Sequence, residues 1–375
     1  MPYRIFLSGI ILLLAFARSN GQTTVNPDIS LIGDIRAFSH DDKTRPQERR
    51  ELNLNNPEIE LMISGYVNPY VRADAVFAWH GEEHNAEIEE AYATILRGLP
   101  LGMNLRAGKY LLEFGRLNSV HPHAWSFIKR PLPHTAFFGE EGLSDMALRT
   151  SFLLPTGSAY TEVMGAVLKG DALIGHGHAD GEEHPGEETD HDEDIKTDFG
   201  FFGRLGTSWA VSEFGELAVG GSVLNSVHEA HSESEQYRSW IIGGDLKYKN
   251  KPNRNRSLQV ECEFLYRIQE HEVTENLKSF GGYAYLDYRF RQQYNAGGIF
   301  EFLREDHAHE HLEGDFEIER VNTWRAGVFL GFMPVEETSL VRLAGHWIEP
   351  DEGDGYGEIT LQLVFSLGPH QPHNF

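Results

Sequence analysis

Apolar and polar residues alternate along most of the chain from about residue 27 onward. In the clearest segment, 257–269, even positions are apolar and odd positions are polar, with Leu265 as the one exception. A period of two residues indicates a β-strand that has one apolar and one polar face. Segments of this kind, about 10–14 residues long, follow one another along the chain and are separated by turn residues, which is typical of a membrane β-barrel.

A soluble β-sandwich also alternates, so two further features decide between the classes. Phe, Trp and Tyr are frequent near the segment ends, and the connections between segments are alternately short and long, as in outer-membrane barrels. We therefore predict an all-β protein, a transmembrane antiparallel up-and-down β-barrel of about sixteen strands. The fourth segment alternates poorly. The predicted strands are 27–40, 57–66, 68–80, 86–97, 101–114, 143–154, 158–169, 198–211, 214–229, 236–249, 255–270, 276–291, 294–306, 320–333, 337–349 and 356–368.

The first 22 residues have the pattern of a secretory signal peptide. Arg4 precedes an apolar run from Ile5 to Ala17, and small residues suited to cleavage follow. We expect residues 1–22 to be removed and residues 23–375 to form one barrel domain in the outer membrane of a Gram-negative bacterium. Later in the chain no continuous apolar run reaches the ~18 residues of a transmembrane helix.

Histidine is concentrated in one set of connections. The predicted long connections and the strand ends beside them contain every histidine except His370 and His373, and the short turns contain none. An even number of strands puts both termini in the periplasm, so the long, acidic, histidine-rich loops should face the cell exterior.

Imidazole and carboxylate groups together suit Zn²⁺ and related metals. The two richest tracts lie in predicted loops 170–197 and 305–320, where glycines and His-x-His spacing predict weak, multi-site binding rather than one rigid site. The alternative is an acidic, solvated surface whose histidines have no role. The candidate ligands are His176, His178, Asp180, His184, Asp190, His191, His307, His309 and His311.

The third predicted outer connection, 115–142, is aromatic, proline-rich and locally basic. In porins of this size the third outer loop commonly folds into the barrel, so it is a candidate pore constriction. Alternatively, Trp125 and Phe127 only plug the mouth. The candidate constriction residues are Arg116, His121, His123, Lys129 and Arg130, and the predicted lumen-facing arginines include Arg72, Arg106, Arg204, Arg289, Arg325 and Arg342.

Composition excludes several classes of function. A net charge of −25 argues against a nucleic-acid partner, which needs a basic surface. The single Cys262 excludes an internal disulfide and a cysteine-based zinc site. Gly-x-Ser-x-Gly, phosphate-loop and His-Glu-x-x-His motifs are absent, so we expect no enzymatic activity and no obligatory cofactor beyond weakly bound Zn²⁺.

Segment 118–125, Asn-Ser-Val-His-Pro-His-Ala-Trp, resembles a stretch found in a family of porin-like outer-membrane proteins, and so do the flanking Ala107-Gly-Lys-Tyr and Pro131-Leu-Pro. The beginning at Asn26-Pro-Asp and the ending Phe365-Ser-Leu-Gly-Pro are similar to that family as well. Its members are often labelled zinc-regulated TonB-dependent outer-membrane receptors. The resemblance implies an outer-membrane location and a link to zinc. We expect no plug domain, because the first strand-like segment begins near Pro27.

The sequence thus predicts a passive channel whose outer loops gather divalent cations. Two alternatives stay open, namely a general or anion-preferring porin without a metal role and a non-conducting surface binding protein. The expected partners are membrane lipid and divalent metal ions or other small solutes, with a homotrimer by analogy with porins.

Overall fold

The computed structural model describes residues 27–55, 57–80, 86–170, 197–229, 236–270, 276–310, 316–335 and 338–368. The predicted signal peptide, the histidine-rich segment from His176 to His191, and His311 lie outside these described residues.

The described residues form one antiparallel sheet of seventeen strands, of which β2 has only two residues; the other sixteen build the wall. The strands are β1 (Asp28–His40), β2 (Asn53–Leu54), β3 (Glu58–Asn68), β4 (Val71–His80), β5 (Glu87–Ile95), β6 (Asn104–Leu111), β7 (Ser144–Leu154), β8 (Tyr160–Leu168), β9 (Thr197–Ser212), β10 (Gly215–Glu229), β11 (Gln236–Asn253), β12 (Arg256–Gln269), β13 (Leu277–Phe290), β14 (Tyr294–Glu310), β15 (Phe316–Phe332), β16 (Ser339–Glu349) and β17 (Tyr356–Leu367).

The sheet closes on itself. Each wall strand pairs with its neighbours along the chain, and β1 pairs with both β3 and β17, with Ile35 opposite Leu363. Closure leaves no unpaired edge in the sheet that the described residues form, which is what a strand structure requires inside a bilayer. The predicted fold class, a closed barrel of sixteen strands, is confirmed. Among the described residues, no helix has the length and apolar character needed to cross a membrane.

The two faces of the wall differ as the alternation predicts. On β12, Phe264 points outward and is 53% exposed, whereas the neighbouring Glu261 and Glu263 are buried inside the barrel. Val328 on β15 is 68% exposed. Exposed apolar side chains at alternate positions on successive strands form the surface that contacts lipid.

The predicted long connection 305–320 is wrong. Strand β14 continues to Glu310 and β15 begins at Phe316, so His307 and His309 belong to a strand and not to a flexible loop. His307 lies opposite Glu319, and His309 lies opposite Glu317. The backbone ladder therefore continues through this polar stretch, and the hairpin extends further than its sequence suggests.

The poorly alternating fourth segment contains a β-bulge. In the pairing of β4 with β5, Val76 lies opposite Glu90 and Phe77 lies opposite Ile88, so Glu89 is the extra residue. A bulge shifts the alternation by one residue, and this shift breaks the sequence pattern there.

The connection from Leu112 to Leu143 lies inside the barrel. It contains a 3-10 turn, Pro122–Ala124, and the helix α1 (Leu132–Phe138), which begins after Pro131 and ends at Gly139 in a left-handed backbone conformation. Proline near a helix start and glycine just past its end are the usual boundary residues. We call residues 112–143 the inner loop.

Candidate functional site

The inner loop is closed at its base by one buried amide. Asn118 Nδ2 donates hydrogen bonds to the carbonyl oxygens of Leu112 (2.7 Å) and Leu143 (2.9 Å), and its Oδ1 accepts one from the Leu143 amide at 2.8 Å. The Leu112 amide also bonds the Leu143 carbonyl at 2.9 Å. These bonds hold the two ends of the loop together where β6 and β7 meet.

A wall carboxylate holds both halves of the inner loop. Glu263 on β12 accepts hydrogen bonds from the amides of Arg116 (2.6 Å) and Leu117 (2.9 Å) and lies 2.9 Å from His134 Nε2. Hydrogen bonds to a charged group each contribute about 1.5–3 kcal/mol. The Glu263 side chain therefore fixes the loop to β12, a wall strand that is far in sequence from β6 and β7, the strands that the loop connects.

A second anchor combines a carboxylate and an arginine on neighbouring strands. Both oxygens of Glu301 accept hydrogen bonds from Arg325, at 2.8 and 2.7 Å. Glu301 also accepts the Leu132 amide at 2.8 Å, and Arg325 donates to the Arg130 carbonyl at 2.6 Å. The pair thus contacts the loop from both strands at the start of α1.

Arg342 on β16 binds the far part of the loop. Its guanidinium donates to the carbonyl oxygens of Trp125 (2.6 Å) and Phe127 (3.0 Å) and to Gln362 Oε1 (2.7 Å). Gln362 in turn donates to Asp34 at 2.8 Å. Arg342 faces the interior, as predicted, but its guanidinium donates its hydrogen bonds to other groups of the protein.

Apolar packing fills the interior on either side of these anchors. Loop side chains Phe114, Phe137 and Phe138 pack against wall residues on strands β6 to β14, and Trp125, Phe127 and Ile128 pack against strands β13 to β16. Leu265, the exception to the alternation on β12, is 1% exposed in the first cluster. The loop folds into the barrel, and its Trp125 and Phe127 side chains are buried against the wall.

Three predicted constriction residues lie on the loop with partners at the wall or within the loop. Arg116 Nε lies 2.7 Å from Asp245, and Lys129 Nζ lies 2.5 Å from Glu358. Arg130 donates to the loop carbonyls of residues 140 and 141 and lies over the Trp125 ring. Burial lowers the pKa of Arg130 to about 10, although nearby carboxylates oppose this change.

The other two constriction candidates, His121 and His123, face a group of glutamates that sequence reasoning missed. His121 lies 3.4–3.7 Å from carboxylate oxygens of Glu60, Glu89 and Glu90, and His123 lies 3.2 Å from Glu60. Burial disfavours the charged ring, but these carboxylates outweigh burial and raise the pKa of His121 to about 10. The broken alternation near Glu89 was the signal in the sequence that two adjacent glutamates share one face.

The remaining predicted lumen arginines lie on the inner face of the wall. Arg72 bonds Asp74 at 3.0 Å, and Arg204 bonds Asp245 at 2.7 and 3.1 Å. Arg106 bonds Glu113 at 2.9 Å and lies over the rings of Tyr92 and Tyr110. Arg289 is half-buried on the face of β13 that also carries Asp287.

Some space remains beside the inner loop. A cavity of about 210 Å³ lies between the loop residues Ile128 and Lys129 and the wall formed by β1 and β17. Its lining includes Arg36, Arg45 and Glu358, so it carries charges of both signs.

Of the predicted metal ligands, His307 lies on β14 and His309 follows two residues later in the same strand. His176, His178, Asp180, His184, Asp190, His191 and His311 lie outside the described residues. Within the described residues, the group that brings three metal-ligating atoms within 4.8 Å of one another consists of Glu60, Glu89 and His121.

No family model matches the chain. A protein of Aquifex aeolicus (strain VF5), described as uncharacterized, is 28% identical over 355 residues, which cover 88% of this chain and 71% of that protein.

Solved structures with similar folds are outer-membrane proteins, and porins and a channel are among them. The anion-selective porin from Comamonas acidovorans is 6% identical with a TM-score of 0.59, and covers 91% of this chain and 99% of its own. The channel DcaP of Acinetobacter baumannii is 11% identical with a TM-score of 0.57 (93% and 100%). The trimer form of OmpT of Vibrio cholerae is 7% identical with a TM-score of 0.55 (92% and 100%). This chain has the porin-like fold of an outer-membrane channel.

Proposed function

We propose that this protein is a passive, cation-preferring outer-membrane channel that admits divalent ions such as Zn²⁺ past the inner loop. The observation that carries the proposal is the cluster of Glu60, Glu89 and Glu90 around a single imidazole at the edge of that loop. Three carboxylates around one ring leave a net negative surface inside the barrel. Such a surface favours cations in a water-filled lumen.

The positive charge of the lumen arginines does not cancel the preference for cations that the glutamate cluster produces. Arg204 is paired with Asp245, Arg325 with Glu301, and Arg342 is occupied by loop carbonyls. Their charge is used to hold the loop and the wall together. The net charge of −25 also raises the cation concentration near the protein.

A salt gradient across a planar bilayer measures this preference. With KCl more concentrated on one side, we expect a reversal potential of the sign that K⁺ permeation produces. The double substitution E60Q/E89Q should reduce that potential. The control is E216Q, which removes a carboxylate near the start of β10, away from the cluster. A reversal potential of the opposite sign would overturn the cation preference.

A second candidate function is an anion-preferring porin. Arg36, Arg45 and Lys129 line the cavity beside the loop, and the Comamonas acidovorans neighbour is an anion-selective porin. The same measurement separates the two candidates by the sign of the potential. A protein that gives no conductance steps would instead be a non-conducting surface binding protein.

We also propose that the outer histidine-rich loop gathers zinc weakly before the ion enters the barrel. The support is the sequence of residues 170–197, where His and carboxylate residues alternate with glycine. Replacing His176, His178, His184 and His191 with Asn should raise, several-fold, the Zn²⁺ concentration that alters channel current. An unchanged concentration dependence would remove this part of the proposal.

Assembly as a homotrimer, as in the trimer form of OmpT, also remains a proposal. Light scattering of the protein in detergent, corrected for bound detergent, gives the protomer count directly.

A further inference from the structure

The β-bulge in β5 turns two consecutive glutamates toward one histidine. Because Glu89 is the extra residue, Glu89 and Glu90 both reach His121, although neighbouring residues in a regular strand point to opposite faces. Glu89 Oε2 lies 3.7 Å from His121 Nδ1, and Glu90 Oε2 lies 3.7 Å from His121 Nε2. Bulges of this kind often redirect a side chain at a functional site.

A third carboxylate comes from a different strand. Glu60 on β3 is 3% exposed, and its Oε2 lies 3.4 Å from His121 Nδ1. One ligand atom from each of Glu60, Glu89 and His121 lies within 4.8 Å of the other two. Two strands and the inner loop, which are distant in sequence, therefore place three donor atoms around one point.

The histidine is held in place by the loop on either side of it. The Trp125 indole donates to the Val120 carbonyl at 2.8 Å, and the Ala124 amide bonds the His121 carbonyl at 3.0 Å. Arg342 fixes the Trp125 carbonyl to the wall at 2.6 Å. A ligand on a fixed backbone loses less entropy on binding than one on a glycine-rich loop.

A second histidine supports one of the carboxylates. His123 Nδ1 lies 3.2 Å from Glu60 Oε1, the oxygen that does not face His121, and the rings of His121 and His123 stack at 5.7 Å. Hydrogen bonds of this outer kind orient the ligands of a metal and commonly change its affinity 10- to 100-fold.

The donor set selects a class of cation. One imidazole and two carboxylates suit Zn²⁺ and similar transition metals, whereas Ca²⁺ takes six to eight oxygen ligands. Zinc ligands at about 2.0–2.2 Å from the metal lie about 3.4 Å apart in a tetrahedral site. The Glu60 and Glu89 oxygens lie 3.4 and 3.7 Å from His121 Nδ1, close to this spacing, and the Glu89 side chain, with 19% of its surface exposed, has room to move.

We propose that Glu60, Glu89 and His121 bind one divalent transition-metal cation of the Zn²⁺ class inside the barrel. The site deepens the proposed channel function and rests on it only for the route by which the ion reaches the lumen. Binding itself is independent of conduction and of the outer loops. The ion would cross-link the inner loop to β3 and β5.

Isothermal titration of the full-length protein in detergent with ZnCl₂ tests the site. We expect wild type to bind one Zn²⁺ ion more tightly than any further Zn²⁺ ions. The E60Q/E89Q variant should lose this tight binding step. His121→Asn should weaken the step at least about tenfold. The matched control is His346→Asn, which removes a buried histidine of β16 outside the cluster and should leave the step unchanged. An excess of CaCl₂ should not compete.

Equal affinity and stoichiometry in wild type and E60Q/E89Q would overturn the proposal and leave His121 as an ion-pair partner only. Effective competition by Ca²⁺ would also overturn the class of cation.

Diffraction at the zinc edge covers the case in which a variant fails to fold. Crystals of wild type soaked with Zn²⁺ should show an anomalous peak about 2.0–2.2 Å from a His121 nitrogen and a Glu60 oxygen. A zinc-soaked crystal without a peak there contradicts the site. The planar-bilayer recording separates the two claims, since zinc binding without conductance leaves the site standing and removes the channel.

Discussion

At the scale of the residue, Leu265 shows how an exception to a pattern carries information. Every other odd position of β12 is polar, yet Leu265 lies in the interior against the aromatic side chains of the inner loop. An apolar side chain on the wet face of a barrel strand requires an apolar partner inside the barrel. The sequence contains that signal, but the partner, about 130 residues earlier, cannot be found from one strand.

Leu265→Ala should destabilise the protein more than a leucine deletion on the lipid face. The interior change leaves a cavity and should cost about 2–5 kcal/mol in the free energy of unfolding. Leu361 on β17 is 47% exposed toward lipid, and Leu361→Ala is the matched control with a smaller expected loss. Urea-dependent unfolding in detergent measures both. Equal losses at the two positions would show that Leu265 is not part of a packed interior.

The sequence predicts which face of the wall a charged residue lies on more readily than it predicts the hydrogen-bond partner of that residue. Period-two alternation puts Arg325 and Arg342 on the inner face, where the structure has them. Their partners are the carbonyl oxygens of Arg130, Trp125 and Phe127, about 200 residues away. Backbone carbonyls leave no trace in the sequence, so the role of these arginines as loop anchors could not be predicted.

At the scale of the element, the strands were largely predictable because each must present one face to lipid and one to the interior. The predicted strands differ from the observed ones where a strand does not present one face to lipid and the other to the interior in strict alternation. Strand β14 extends to Glu310 beyond the apolar band, where His307 and Glu319 pair across the hairpin instead of forming a loop. The bulge at Glu89 breaks the period in β5, and the same bulge creates the cluster around His121.

Phe264→Arg tests the orientation of β12 in the middle of its length. A charged residue on the lipid face near the centre of the membrane costs about 2–4 kcal/mol. We expect a loss of this size in the free energy of folding into lipid vesicles, with Phe264→Leu as the control at the same position. A charge tolerated at position 264 at no cost would mean that this face contacts water.

The inner loop is the element whose location could be predicted and whose structure could not. Its place as the third outer connection and its aromatic, proline-rich composition indicate an inward fold. The anchors, however, come from Glu263, Glu301 and Arg342 on three different strands. Only closure of the barrel brings these strands to the two sides of one loop.

At the scale of the whole molecule, strand parity and loop length give the fold its two ends. The sixteen wall strands follow one another around the closed wall, and the inner loop enters the barrel from the end at which β6 and β7 are joined. The interior is therefore an apolar, hydrogen-bonded loop surrounded by charged wall residues, with carboxylates concentrated beside His121. This arrangement predicts a narrow channel whose width depends on how firmly the loop is anchored.

The claim that the anchored inner loop narrows the channel is tested by single-channel recording of wild type and of the double variant Glu263→Ala/Arg342→Ala. Wild type should give small, discrete conductance steps in KCl. Removing two anchors should free the inner loop and give larger or more variable steps, while Glu216→Ala, a charge removed from β10, should match wild type. Bilayers that show no steps with any of the three proteins, or steps of one size in wild type and the double variant, would contradict a channel narrowed by this loop.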